Sequence, residues 1–203
     1  MTNTFDKDAK KKLVIAVSGT LCSGKGLVAK ILKSRGCDID TFSSVVKNEL
    51  YSRRIEITRT NLQDEGNRLR KEFGGQVLAE RLLAKYERST KPLVIDGLRN
   101  IGELEYLKKH SNCILIGVDA PLEFRWELTQ KRKSEKDLIG YDTFVELDAR
   151  DKGYNEPLNG QQVGMCLTHA DFLIYNDEEF DRLENSKFYK QVIEIYEEIL
   201  KKR

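Results

Sequence analysis

Gly19-Thr20-Leu21-Cys22-Ser23-Gly24-Lys25-Gly26 is the stretch from which the rest of the chain can be read. It directly follows the apolar run Leu13-Val14-Ile15-Ala16-Val17 and opens an amphipathic stretch from Gly24 to Ser34. The spacing is G-x-x-x-x-G-K, and a strand-loop-helix setting is the context in which that pattern binds phosphate. Gly19 and Gly24 permit backbone conformations that turn successive N–H groups inward. The helix start adds partial positive charge, and Lys25 can reach the outer phosphates. The segment Gly19, Thr20, Leu21, Cys22, Ser23, Gly24, Lys25, Gly26 and Leu27 is therefore the candidate nucleotide-binding loop. Gly26 stands where most such loops carry a Ser or Thr that binds Mg2+, so a direct hydroxyl ligand is missing. That absence, with no N-K-x-D motif, disfavours a GTPase-like protein.

Outward from the loop, three more β-rich runs follow: Leu93-Val94-Ile95, Cys113 to Val118, and Phe172-Leu173-Ile174-Tyr175. A weaker one spans Cys37 to Phe42. These runs are continuously apolar rather than alternating, which predicts a sheet covered on both faces. Helical patterns separate them at Ser44–Arg53, Thr60–Lys85 (interrupted near Gly74-Gly75), Ile101–His110 and Leu122–Arg132. A last one, Lys187–Lys202, carries an apolar stripe of Phe188, Val192, Ile195, Tyr196 and Ile199, most simply a helix packed on the body. Strand alternating with helix implies an α/β fold with a parallel sheet and right-handed crossovers. No repeat or linker divides the chain, so we expect one domain over 1–203 with a flexible tail at 1–12.

Composition sets the bounds. The chain has 203 residues, enough for one sizeable core. Its 35 basic and 33 acidic residues give net +2, so no bulk field points to nucleic acid or a membrane surface. No apolar run approaches the roughly 20 residues a spanning helix needs. The start is polar and lacks the apolar core of a secretory signal. Cys22, Cys37, Cys113 and Cys166 show no C-x-x-C pairing and read as reduced thiols, and the expected location is cytoplasmic.

Lys25-Gly26 matches the G-K-G of adenylate kinase and its relatives. Val94-Ile95-Asp96-Gly97-Leu98-Arg99 resembles the strand-end D-G-x-x-R of nucleoside monophosphate kinases, with the arginine one place early. A closer similarity is to archaeal kinase-like proteins related to dephospho-CoA kinase and to deoxynucleoside monophosphate kinases. They share D-G-[IL]-R, a preceding L-x-x-x-G-x-x-L-R-x-x-[FH]-G helix (Leu62 to Gly74) and a late A-D-[FY]-x-I-x-N-D (Ala170 to Asp177). The resemblance covers about Leu13 to Asp177. It implies a P-loop three-layer sandwich whose five mainly parallel strands run 2-3-1-4-5. It also implies a helical acceptor region at about 40–88 and a small lid at about 125–155.

The same resemblance implies an ATP- and Mg2+-dependent kinase acting on a nucleotide-like acceptor. A deoxynucleoside monophosphate leads and dephospho-CoA follows; a nucleotide-binding regulator with little transfer activity stays open. Phosphoryl transfer between two anions needs positive charge from both sides and little covalent help. Lys25, Arg99 and Arg132 carry that charge in this reading, and Asp96 holds Mg2+ through water. Arg125 and Asn176 are expected beside the nucleotide. Lys47, Arg68, Arg70 and Arg99 are the candidate acceptor contacts, with one of Arg68 and Arg70 facing the site. A monomer or homodimer is expected, with neither nucleic acid nor membrane as partner.

Overall fold

A computed structural model describes residues 11–132, 139–180 and 182–202, without the side chain of Arg132. The strands β1 (Leu13–Gly19), β2 (Asp38–Thr41), β3 (Leu93–Leu98), β4 (Asn112–Asp119) and β5 (Phe172–Tyr175) form one sheet in the order β2-β3-β1-β4-β5. Every neighbouring pair is parallel. The expected fold class and strand order therefore stand. The all-apolar character of β1 has a direct cause. Val14 and Ala16 face one layer of helices while Leu13, Ile15 and Val17 face the other, and none is exposed. One layer contains α2 (Phe42–Ser52), α4 (Val77–Lys85) and α5 (Ile101–His110). The opposite layer is α1 (Lys25–Ser34) and α9 (Lys187–Lys201). Phe188, Val192, Tyr196 and Ile199 on α9 pack there, so its apolar stripe is core.

The long helical pattern after Thr60 breaks as expected. Gly74 takes φ 97 at the end of α3 (Arg59–Phe73), a left-handed conformation that suits glycine, and α4 follows. Two helices have no counterpart in the sequence patterns: α7 (Tyr141–Lys152) and α8 (Val163–Thr168), which follow α6 (Leu122–Arg132). Only Phe144 and Leu147 give α7 an apolar face, too few for periodicity to show. Its other inward positions are Asp148 and Asp151, which are buried.

The register positions the site. Val17 pairs with Asp96, but the next step pairs Ser18 with Leu98, skipping Gly97. Gly97, at φ 88, thus bulges from the sheet where β1 gives way to the loop. Asp96 and Gly97 are brought to the mouth of the site by this irregularity. No described helix is long and apolar enough to cross a membrane.

Candidate active site

The end of β1 turns sharply into α1. A Cβ on Gly19 would lie 2.0 Å from the Val118 carbonyl oxygen, so only glycine lets β4 approach there. Gly24 takes φ 104, and a Cβ there would sit 2.8 Å from Asn176 Nδ2. Helices α2, α3 and α5 have their first amides capped by Thr41, Thr58 and Asn100. The start of α1 has no side-chain cap and no acidic residue in its first turn. Its uncapped, electropositive end suits an anion.

The loop is braced from several directions. Thr20 Oγ1 donates to Asp119 Oδ1 at 2.7 Å, Asn176 Nδ2 donates to the Ser23 carbonyl at 3.0 Å, and Arg125 donates to the Leu21 carbonyl at 3.0 Å. Lys25 Nζ donates to the Gly19 carbonyl at 2.7 Å and the Thr20 carbonyl at 2.5 Å. These bonds satisfy carbonyl oxygens, the groups that would repel a phosphate. Ser23 Oγ is buried with no hydrogen-bond partner among the described residues. An uncapped helix start, an orphaned hydroxyl and a lysine at the loop's end fit a polyphosphate. Burial, reinforced by the Arg99 guanidinium, pulls the Lys25 ammonium down to about 8 against the opposing pull of Asp96 and Asp151.

A cavity of about 680 Å³ lies over the loop, walled by residues 21–27 and by Asp96, Arg59, Arg99 and Lys131. A smaller inner cavity of about 60 Å³ shares Leu21, Ser43, Arg59, Gly97 and Arg99 with it. The site thus has two chambers with a common arginine-bearing wall. Arg99, about a quarter exposed, pairs with the fully buried Asp151 of α7. That pairing fixes its guanidinium between the chambers.

The residues expected from sequence separate into distinct places. The loop, Asp96 and Arg99 meet around the outer chamber, and Arg70 lines the inner one. Arg70 is buried, with Nε donating to Glu103 Oε1 at 2.9 Å. Arg68 instead points along the outer face of α3 toward Glu49, Glu65 and Glu72, so of the two arginines it is Arg70 that faces the site. Lys47 lines neither chamber. Arg125 and Asn176 sit one layer behind the expected position. Arg125 is 1% exposed because Asp148 claims its guanidinium, while Nε donates to the Ala120 carbonyl at 2.9 Å. Asn176, 2% exposed, bonds the loop itself. The side chain of Arg132 lies outside the described residues.

Sequence reasoning missed Arg59, Ser43, Gln63, Asp151 and Gln161. One signal was present: Arg59 opens α3, and a cation at the positive end of a helix dipole is disfavoured unless something else holds it there. Gln161 and Asp151 carried no signal, since they reach the site only by folding of a distant segment.

The residues also fit Mg2+. Asp96 offers a hard carboxylate oxygen at the chamber wall, and a Cβ on Gly26 would stand 3.9 Å from Asp96 Oδ2, with no other atom that near. Room therefore exists where other loops place a hydroxyl. No group of three or more His, Cys, Asp or Glu side chains suited to a metal occurs among the described residues.

A family model described as an AAA domain matches residues 15–156. The UPF0200 protein of Aeropyrum pernix is 32% identical over 175 residues, covering 85% of this chain and 89% of that protein. The UPF0200 protein of Methanocaldococcus jannaschii is 29% identical over 191 residues, 93% and 91% of the two chains. Among solved structures, shikimate kinase from Bacteroides thetaiotaomicron superposes with a TM-score of 0.53 at 12% identity, covering 93% of this chain and 98% of that one. Shikimate kinase from Acinetobacter baumannii in complex with shikimate gives 0.53 at 14% identity, covering 95% of each. At such identities these structures establish the fold alone, which is P-loop kinase-like.

Proposed function

The chain belongs to the AAA-domain family and to the UPF0200 proteins, and on that premise we propose that it is an ATP-dependent kinase for a nucleotide-like small molecule. A (deoxy)nucleoside monophosphate is the leading acceptor. The observation that carries this reading is the pair of joined chambers, with Lys25 at the loop end of one and Arg59 and Arg99 in the wall common to both. A hydrolase needs one chamber and water, whereas transfer between two anions needs two chambers and cations between them.

In the proposed reaction an acceptor phosphate oxygen attacks the γ-phosphorus of ATP. A new P–O bond forms as the bond to the β–γ bridging oxygen breaks, and ADP leaves with that oxygen. The loop amides and Lys25 hold the donor phosphates. Arg99 and Arg132 take the charge that builds on the moving phosphoryl group, and Arg59 adds to the acceptor side. Asp96 would hold Mg2+ through water, and the ion when bound neutralises charge on the β- and γ-phosphates. Arg125 and Asn176 act from behind by fixing loop carbonyls, which is positioning rather than contact. A lid at about 125–155, of which residues 133–138 lie outside the described residues, would exclude water from the outer chamber.

A coupled assay of ADP release over nucleoside monophosphates and dephospho-CoA tests this reading. Turnover with a monophosphate is expected, with Asp96→Asn and Arg99→Ala each reducing it at least about 100-fold while ATP affinity changes only a few-fold. The Arg99–Asp151 pair favours one competitor, a nucleotide-binding regulator whose acceptor arginine is already engaged. Tight ATP binding without turnover on any acceptor would establish that alternative.

A further inference from the structure

Two buried amides line the inner chamber, and their carbonyl oxygens have no hydrogen-bond partner among the described residues. Gln63 and Gln161 both line it, and they are 4% and 1% exposed. Their orientations follow from their neighbours. Arg70, which can only donate, gives a hydrogen bond to Asn67 Oδ1 at 3.3 Å, and Asn67 Nδ2 donates to Glu156 Oε2 at 2.6 Å. Asn67 Oδ1 is therefore an acceptor, and Gln161 Nε2 donates to it at 2.8 Å. Gln63 Nε2 in turn donates to Asp151 Oδ1 at 3.3 Å and the Leu147 carbonyl at 3.4 Å. Turning either amide over would set oxygen against oxygen. Gln63 Oε1 and Gln161 Oε1 are thus left buried with no hydrogen bond among the described residues. Leaving acceptors unmade in this way is costly unless ordered water or a ligand satisfies them, and a ligand group that donates to both can take that place.

Gly66 adds an independent observation. It lies inside α3 and lines the same chamber, without the positive φ that would require glycine. Alanine is the better helix former there, and a Cβ would meet only the Arg70 guanidinium, at 3.5 Å, an ordinary contact. Neither backbone nor packing demands the glycine. What the missing methyl preserves is space. At about 60 Å³ the chamber has room for about four waters, so it suits the edge of one ring and not a fused bicycle.

We propose that the inner chamber is the selectivity pocket of the acceptor site and takes the amino edge of a single-ring base, the chemistry of a cytosine nucleotide. The amino group donates to Gln63 Oε1 and Gln161 Oε1. A uracil or thymine ring presents a carbonyl oxygen at that position, which sets acceptor against acceptor. This assignment rests on the acceptor reading above.

The test is ADP release by the full chain with CMP, dCMP, UMP, dTMP, AMP and GMP as acceptors. We expect CMP or dCMP to exceed UMP and dTMP in kcat/KM at least about 100-fold. Gly66→Ala should raise the KM for CMP about tenfold or more, with the KM for ATP unchanged and a melting temperature equal or higher. Gln161→Met should cut the CMP-to-UMP ratio at least about tenfold. Comparable use of CMP and UMP, a preference for purines, selection by the 2′-hydroxyl alone, or an unchanged CMP KM in Gly66→Ala would overturn the pocket assignment while leaving a monophosphate kinase standing. Absence of turnover with every monophosphate would remove the acceptor reading and the pocket assignment together.

Discussion

One unbroken segment, residues 19–27, makes the loop beneath the outer chamber, whereas the inner chamber draws Phe42, Gln63, Arg70, Gly97 and Gln161 from separate parts of the chain. The loop works through main-chain amides, a helix start and one lysine, so its identity is written locally. The inner chamber works through side chains that meet only when α3, the end of β3 and the segment after α7 are packed together. Helix α7 ties the two regions. Asp148 holds Arg125, which reaches the Leu21 carbonyl, and Asp151 holds Arg99 and Gln63. Burial opposes charge on Asp148, yet the Arg125 and Lys152 hydrogen bonds outweigh it and keep the carboxyl below its usual range. A segment without a recognisable motif thus sets the spacing between a motif and its partner site.

The largest effect is expected at the local region. Lys25→Ala should lower kcat/KM with ATP at least about 100-fold with little change in the melting temperature, read by steady-state kinetics and differential scanning calorimetry. A comparable loss of folding stability would mean that Lys25 serves mainly to tie the loop carbonyls.

Arg125→Met addresses the strut. Removing one partner of a buried pair leaves the other charge uncompensated, a loss of about 3–5 kcal/mol, and the lower end applies because Lys152 also lies 3.0 Å from Asp148. Urea unfolding would measure it, and Arg125→Met combined with Asp148→Leu should recover much of the loss. No recovery in the double variant would contradict the pairing as the reason that Arg125 is buried.

A smaller effect is expected with pH. Lys25 sits at about 8, so below that pH it is already charged and ATP affinity should be flat. Above it the lysine must take up a proton to meet the phosphates, so affinity should fall by up to about tenfold per pH unit. Nucleotide titrations between pH 7 and 10 would show this, and Lys25→Arg, charged throughout, should flatten the profile. An unchanged slope in that variant would assign the titration to another group.

Legibility follows the same division. The strands were readable because a sheet covered on both faces leaves apolar runs, and β2, the weakest of them, is also the shortest with β5 and lies at an edge. The end of β3 was underestimated, since Asp96 and Gly97 break the apolar pattern while Leu98 still pairs with Ser18. Arg70 and Arg68 could not be told apart in sequence, because two residues along a helix changes the face and only packing decides which face turns inward. The resemblance implies Arg125 as a neighbour of the nucleotide. Nothing in the sequence announced that Asp148, from an unrecognised helix, would bury it.

By itself, then, the sequence determined the strands, a sheet covered on both faces and the phosphate loop, because these depend on local conformation and short-range apolar pattern. The tertiary structure alone decided which charges line the chambers and which are spent on one another. That choice depends on desolvation and on partners brought from as far away as Asp151 and Gln161, and neither quantity is a property of any short stretch of chain.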